Sequence, residues 1–132
     1  MECPFCKIIK KQAEAHIIHE SENIIAFLDV DPINEGHVLI VPKMHEASID
    51  NMPINILTEI VELAQKVVTA FKEVYHIDGY SIMQNGGEFN DVGHYHLHIF
   101  PRYTGDGFGW TYGEEPKNVN SEIAKRIRDR IS

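Results

Sequence analysis

One stretch of the chain reads as a helix without ambiguity, and it limits what the rest can be. In INILTEIVELAQKVVTAFKEVYH, Ile56, Ile60, Val61, Ala64, Val67, Val68, Phe71 and Val74 recur at spacings of three and four and form one apolar face. Roughly 20 helical residues span about 30 Å, enough to cover a sheet. Asn51 followed by Pro53, or Asn55, is expected to begin the helix. A helix with one apolar face must bury it against a second layer, and the flanking segments supply strands. AHIIHE and NIIAFLDV read as strands separated by the polar SEN turn, and HVLIVP as a buried strand after the DPINEG loop. GYSIMQN and HYHLHIFPR form a further pair, joined by GGEFNDVG as an antiparallel hairpin with a wide turn. Strands, then helix, then strands predict an antiparallel α+β sandwich, one sheet with a helix on one face.

The ends are shorter pieces. CPFCKIIK fits a short helical turn, TGDGFGWTYGEEPKN is Gly-rich and irregular, and VNSEIAKRIRDRIS fits a final helix capped by Asn120 or Ser121, with Ile123, Ile127 and Ile131 on one face. There is no internal repeat and no low-complexity linker. A chain of 132 residues fits one domain over 1–132, with a core at about 3–103 and an appended 104–132. With 43% hydrophobic and 24% charged residues it has the composition of an ordinary globular protein. The formal net charge of −8 argues against nucleic acid or an anionic membrane as partner. The absence of an apolar run of membrane-spanning length and of a signal-type leader predicts a cytoplasmic protein. In that compartment Cys3 and Cys6 are not expected to form a structural disulfide.

GHYHLHIFPRY holds three of the chain's eight histidines. Side chains alternate along a strand, so His94, His96, His98 and Phe100 share one face, while Tyr95, Leu97 and Ile99 face the helix. Neighbouring histidines would sit about 6.5 Å apart along an extended strand, too far for ring-to-ring contact but able to converge on one small ligand. Three readings compete: a solvated polar face, a catalytic metal site using histidines at i and i+2, and nucleophilic catalysis in which one neutral imidazole attacks while its neighbours fix its tautomer. CPFC is a Cys-x-x-Cys. At residues 3–6 it lacks the preceding strand of a thioredoxin-type redox pair, and as half a zinc site it needs two histidines to complete it. An unmetallated surface pair is the alternative.

HYHLHIF fits the His-φ-His-φ-His-φ-φ signature of the histidine triad (HIT) family of nucleotide hydrolases and transferases, with Tyr95, Leu97, Ile99 and Phe100 at the φ positions. IIAFLDVDPINEGHVLIVPKMH resembles the family's upstream strand-loop-strand segment, and CPFCKII and RYTGDGFGW resemble its bacterial members; the match covers residues 3–110 or so. The resemblance implies a five-stranded antiparallel sheet with one long helix and short terminal helices, in a twofold homodimer. It implies cleavage at the α-phosphate of nucleoside phosphoramidates or dinucleoside polyphosphates through a nucleotidyl-histidine, releasing a nucleoside monophosphate. His96 would be the nucleophile, His98 would orient it, and His37 would lie near the scissile phosphate, with no catalytic metal. The uridylyl-transferring branch usually has glutamine at the third position, so His98 argues against it.

The same resemblance implies that Asp29 binds the ribose and that Phe5, Ile8, Phe27 and Val30 surround a base, most naturally a purine. Asn85 would sit beside the active site and Asn90 would donate an amide hydrogen bond. Asp91 stands where relatives carry a hydroxyl residue and Phe89 where they carry glycine. A carboxylate there would repel a phosphate, and a nucleotide-binding dimer with little catalysis is therefore the alternative function. Cys3, Cys6, His45 and His94 would form a structural zinc site, freeing His96 and His98 for chemistry.

Overall fold

The structure, a computed structural model, describes residues 2–131; Met1 and Ser132, the ends of the expected domain, lie outside the described residues. The elements run α1 (Pro4–Ile9), β1 (Ile17–Glu20), β2 (Ile24–Leu28), β3 (Val38–Pro42), α2 (Ile54–Val74), β4 (Gly79–Met83), β5 (Leu97–Arg102) and α3 (Ser121–Ile131). The strands form one five-stranded sheet in the order β1-β2-β3-β5-β4, every neighbouring pair antiparallel. The expected α+β architecture is the one observed.

β2 and β3 are apolar at consecutive positions because both faces are covered. Ile24 and Ala26 of β2, Val38 and Ile40 of β3, and Ile99 of β5 pack against α2 through Ile56, Ile60, Leu63, Ala64, Val67 and Phe71. On the opposite face Ile25, Phe27, Leu39 and Val41 pack against Phe5 of α1. The clustered histidines emerge on this second face, in register with the small core: His98 pairs with Leu39 on one side and Met83 on the other.

Three expectations needed correction. The buried stripe of α2 includes Leu63, whereas Val61 is 56% exposed and Val74 70%. At 100° per residue Val61 falls on the flank, roughly 110° from the centre of the stripe; Val74 points along the stripe but ends the helix. Neither Asn51 nor Asn55 caps α2. Pro53 is the N-cap, with no side-chain cap bond, and its carbonyl accepts from Ile56 and Leu57 N–H. The strand expected from His94 begins at Leu97. The backbone before it is drawn elsewhere, since Tyr95 N–H donates to the Glu46 carbonyl at 2.7 Å.

At the amino terminus Cys3 caps α1, its Sγ accepting from Cys6 N–H. At the other end Asn120 Oδ1 accepts from Ile123 N–H, as a helix cap should. Among the described residues no helix is long and apolar enough to cross a membrane.

Burial separates two otherwise similar substitutions. Ile60→Ala, at a fully buried position, is expected to cost about 2–5 kcal/mol. Val74→Ala should stay within about 0.5 kcal/mol. Urea denaturation midpoints with an unchanged slope measure both, and equal losses would contradict the assignment of the core.

Candidate functional site

The loop between β2 and β3 delivers the first two site residues. Gly36 has φ +91°, and a Cβ there would meet the Tyr75 ring at 2.9 Å, so both conformation and space require glycine. The turn brings His37 into the interior. Ile33 N–H donates to His37 Nδ1 at 3.0 Å. A neutral imidazole that accepts at Nδ1 carries its hydrogen on Nε2. His37 Nε2 lies 2.9 Å from His98 Nδ1 and 3.5 Å from Asp29 Oδ2. The shorter contact takes the hydrogen, so His98 accepts at Nδ1 and holds its own hydrogen on Nε2. One backbone amide thus sets the tautomers of two buried histidines.

Both rings are neutral at pH 7. Burial pushes His37 below the ordinary imidazole range. Burial, then the charges of His96 and His37, push His98 down to about 4. Of the two rings only His98 has an N–H to offer, at Nε2, since the His37 hydrogen is given to His98.

His96 is oriented by a different group. Its Nδ1 lies 2.8 Å from the carbonyl oxygen of His94. A carbonyl can only accept, so Nδ1 carries the hydrogen and Nε2 presents its lone pair. The ring is buried, with the Phe5 ring edge-on at 5.1 Å and the His98 ring at 4.8 Å. Extended geometry had predicted no ring-to-ring contact. The contact exists because His96 lies ahead of the paired strand and imidazoles lean along the chain.

The remaining expected residues are placed as follows. Asp29 Oδ1 accepts from Asp31 N–H at 2.9 Å, while Oδ2 faces His37 and His98; the residue both caps a turn and borders the histidines. Phe5 and Phe27 stack edge to face at 5.4 Å, with Ile8 packed against them. Val30 does not join this cluster: it is 92% exposed and lines an open hollow with Lys11 and Ala13 to Ile17. Asn90 is committed to its own loop, since Oδ1 accepts from Val92 and Gly93 N–H and Nδ2 donates to the His94 carbonyl at 3.4 Å. Asn85 lines a separate hollow beside β4. Asp91 is largely exposed, with Oδ1 3.9 Å from His96 Nε2.

Cys3, Cys6, His45 and His94 come together behind this site, their ligand atoms all within 4.8 Å of one another. His94 Nε2 donates to the Pro42 carbonyl at 2.8 Å, which leaves the Nδ1 lone pair facing the sulfurs. Nδ1 lies 3.5 Å from Cys3 Sγ, 3.6 Å from Cys6 Sγ and 3.2 Å from His45 Nδ1; Cys6 Sγ lies 3.2 Å from His45 Nδ1. A zinc tetrahedron with bonds of about 2.3 Å to sulfur and 2.0–2.1 Å to nitrogen has edges of about 3.5 Å (S to N) and 3.3 Å (N to N). The four residues fit such an ion, and the Pro42 carbonyl supplies the outer hydrogen bond that ligating histidines usually make. Asp29, His37 and His98 form a second acid-imidazole group. Its chemistry fits a metal poorly, because the Ile33 amide occupies His37 Nδ1 and places a hydrogen on the ligating side.

The groups missed from the sequence are backbone atoms: the Ile33 amide and the carbonyls of His94 and Pro42. No residue type announces them. The Arg102–Asp106 pair behind Phe108 was also missed, although Arg and Asp four residues apart in a Gly-rich segment hint at a loop clasp.

A HIT domain model matches residues 10–105, and the chain belongs to the HIT domain family. An uncharacterised HIT-like protein of Methanocaldococcus jannaschii is 42% identical over 129 residues, covering 96% of this chain and 98% of its own. An adenosine 5′-monophosphoramidase of Candida albicans is 37% identical, covering 98% and 96%. A HIT family crystal structure from Bacillus subtilis superposes with a TM-score of 0.87 at 30% identity, covering 100% and 99%. A zinc-bound histidine triad family protein from Mycobacterium smegmatis gives 0.76 at 34% identity, covering 87% and 85%.

The neutral His98 has a pH consequence. Its folded pKa, about 4, lies below the ordinary value of about 6.5. Between those values the unfolded chain binds the proton and the folded one does not, so stability falls as pH drops from about 6.5 toward 4. NMR titration should place His98 near 4, and His98→Gln should flatten that part of the stability profile. A midpoint near 6.5 would contradict the burial argument.

Proposed function

We propose that the protein is a nucleotide hydrolase that cleaves at the α-phosphate of nucleoside phosphoramidates or dinucleoside polyphosphates, with a purine nucleoside monophosphate as product. One observation carries this reading: the His94 carbonyl holds the His96 Nδ1 hydrogen and leaves the Nε2 lone pair beside His98. The phosphoramidase name of the Candida albicans relative supports the substrate class.

His96 Nε2 attacks the phosphorus and forms an N–P bond. The bond to the leaving amine breaks; the amine keeps the bonding pair and takes a proton from solvent. The imidazolium so formed keeps its Nδ1–H on the His94 carbonyl, which stabilises the new charge. His98 Nε2–H donates to a phosphate oxygen, and His37 holds His98 in the tautomer that does so. Water then attacks the phosphorus, gives up one proton to solvent and returns His96 with its lone pair. Asp29 accepts from the ribose hydroxyls, and Phe5, Ile8 and Phe27 form the apolar wall for the base; Val30 and Asn85, on separate hollows, have no part in this wall.

Zinc at Cys3, Cys6, His45 and His94 is proposed as structural. The ion would hold α1 and the His94 segment together, and no chemical step runs through it. Cys3→Ser should release about one zinc per chain on metal analysis and lower the melting temperature; retention of the metal would remove the assignment. A homodimer is proposed across β4, one of the two edge strands, where Val61, Val68, Tyr80 and Ile82 form an apolar patch. Ile82→Glu should shift light-scattering mass from two chains to one.

A second reading, nucleotide binding with little turnover, draws on Asp91 at 3.9 Å from His96 Nε2. At roughly 6–7 Å in a water-like dielectric, a unit charge repels a phosphate charge by about 0.6 kcal/mol. Asp91→Asn should therefore raise kcat/KM about threefold at low salt and less at high salt. His96→Ala should abolish turnover of an adenosine phosphoramidate while calorimetry still detects nucleotide. Wild-type binding with no turnover of any phosphoramidate or dinucleotide would favour the second reading.

A further inference from the structure

One helix cannot cover five strands. Strands lie about 4.8 Å apart and a helix is about 10 Å wide, and α2 packs on β2, β3 and β5. Beyond its flank, on the same face of the sheet, a hollow of about 380 Å³ opens between β1 and the carboxyl-terminal half of α2. We propose that this hollow is a binding site for a free medium-chain alkyl carboxylate, on the opposite face of the sheet from the histidines.

The walls suit an alkyl chain. Leu63, Val67, Phe71 and Val74 of α2 form a continuous apolar strip above Leu28 and Val38. Ala70 stands between Lys66 and Val74 on the outer row of the helix, and its short side chain leaves the trough open. Across from it β1 carries one extra residue: Ile17 pairs with Phe27 and His19 with Ala26, so Ile18 has no cross-strand partner. Such a bulge re-aims side chains. Ile18 and His19 both border this trough, whereas Ile17 borders the hollow on the other face. Ile18 and Val74 are exposed apolar residues, and a chain laid between them would remove both from water. Lys66 and Val74 lie about 12 Å apart along α2, the reach of an extended alkyl chain of about ten carbons.

The charges set the sign of the guest. The chain has 20 acidic residues and a formal net charge of −8, yet no carboxylate lines this trough. Lys66 and His19 do, and among the described residues Lys66 has no ion pair or hydrogen bond. The carboxylates beyond the rim are engaged elsewhere. Glu59, which acts on His19, accepts from Ser21 and Asn23, and Glu35 faces the Tyr75 hydroxyl. An ammonium without a counter-charge beside an apolar trough is complementary to a carboxylate head on an alkyl tail. A homodimer across β4 would use the other edge of the sheet and leave the trough open.

Calorimetry and two-dimensional NMR of the full-length protein with decanoate test the site. Binding should saturate at about one per chain, with shifts at Ile18, His19 and residues 63–75 and none at residues 94–98. Hexanoate should bind at least about tenfold more weakly, because four methylenes leave the trough. Lys66→Glu should weaken decanoate about fivefold. Ala70→Phe, at an exposed position, should weaken it at least as much by filling the trough. No saturable binding, shifts centred on the histidines or on β4, or an affinity unmoved by Lys66→Glu or by Ala70→Phe would each overturn the inference. A change of light-scattering mass on Ala70→Phe would give the trough to a second copy of the chain and overturn it as well.

Discussion

The hydrogen bond from His96 Nδ1 to the carbonyl of His94 is the constraint around which the molecule is arranged. It fixes a tautomer, and it does so with the backbone of a residue whose side chain is occupied elsewhere. His94 gives its Nε2–H to Pro42, its Nδ1 lone pair to the Cys3, Cys6 and His45 cluster, and its carbonyl to His96. Moving any of these partners displaces the backbone that aims His96. A ring poised by a main-chain group is hard to misalign through rotamer change, because a carbonyl has no rotamer.

A parallel arrangement holds His98. The Ile33 amide orders His37, and His37 orders His98, by a sequence of single-donor contacts that leaves each ring one choice of tautomer. Burial keeps these rings neutral. The two rings therefore present fixed dipoles rather than charges, and such dipoles need no reorganisation when a charge approaches.

Much of the fold was legible because hydrophobic periodicity is a direct record of burial. α2 could be read from its stripe, and the His-φ-His alternation correctly put Tyr95, Leu97 and Ile99 toward α2. The errors occurred where backbone hydrogen bonding overrode pattern. Tyr95 N–H is taken by Glu46, which delays β5 to Leu97, and the Pro53 carbonyl displaces the asparagines as the start of α2. Cys3, Cys6, His45 and His94 lie together, and so do His37, His96 and His98. What each one donates or accepts was not legible, since it depends on carbonyl and amide positions that any side chain could accompany. Asn90 shows the difference: it was expected to donate an amide hydrogen bond at the site, and its amide serves the loop.

The six residues of α1 are too few to persist as a helix in isolation. They hold their place through Phe5 against Phe27 and through Cys3 and Cys6 against the two histidines. The helix therefore detaches as a unit or not at all, the pattern of a local opening event. Each such opening strips two thiols from the cluster and the aromatic wall from His96 together. Hydrogen exchange in this short helix, slow or fast, would report how long the histidine face stays assembled.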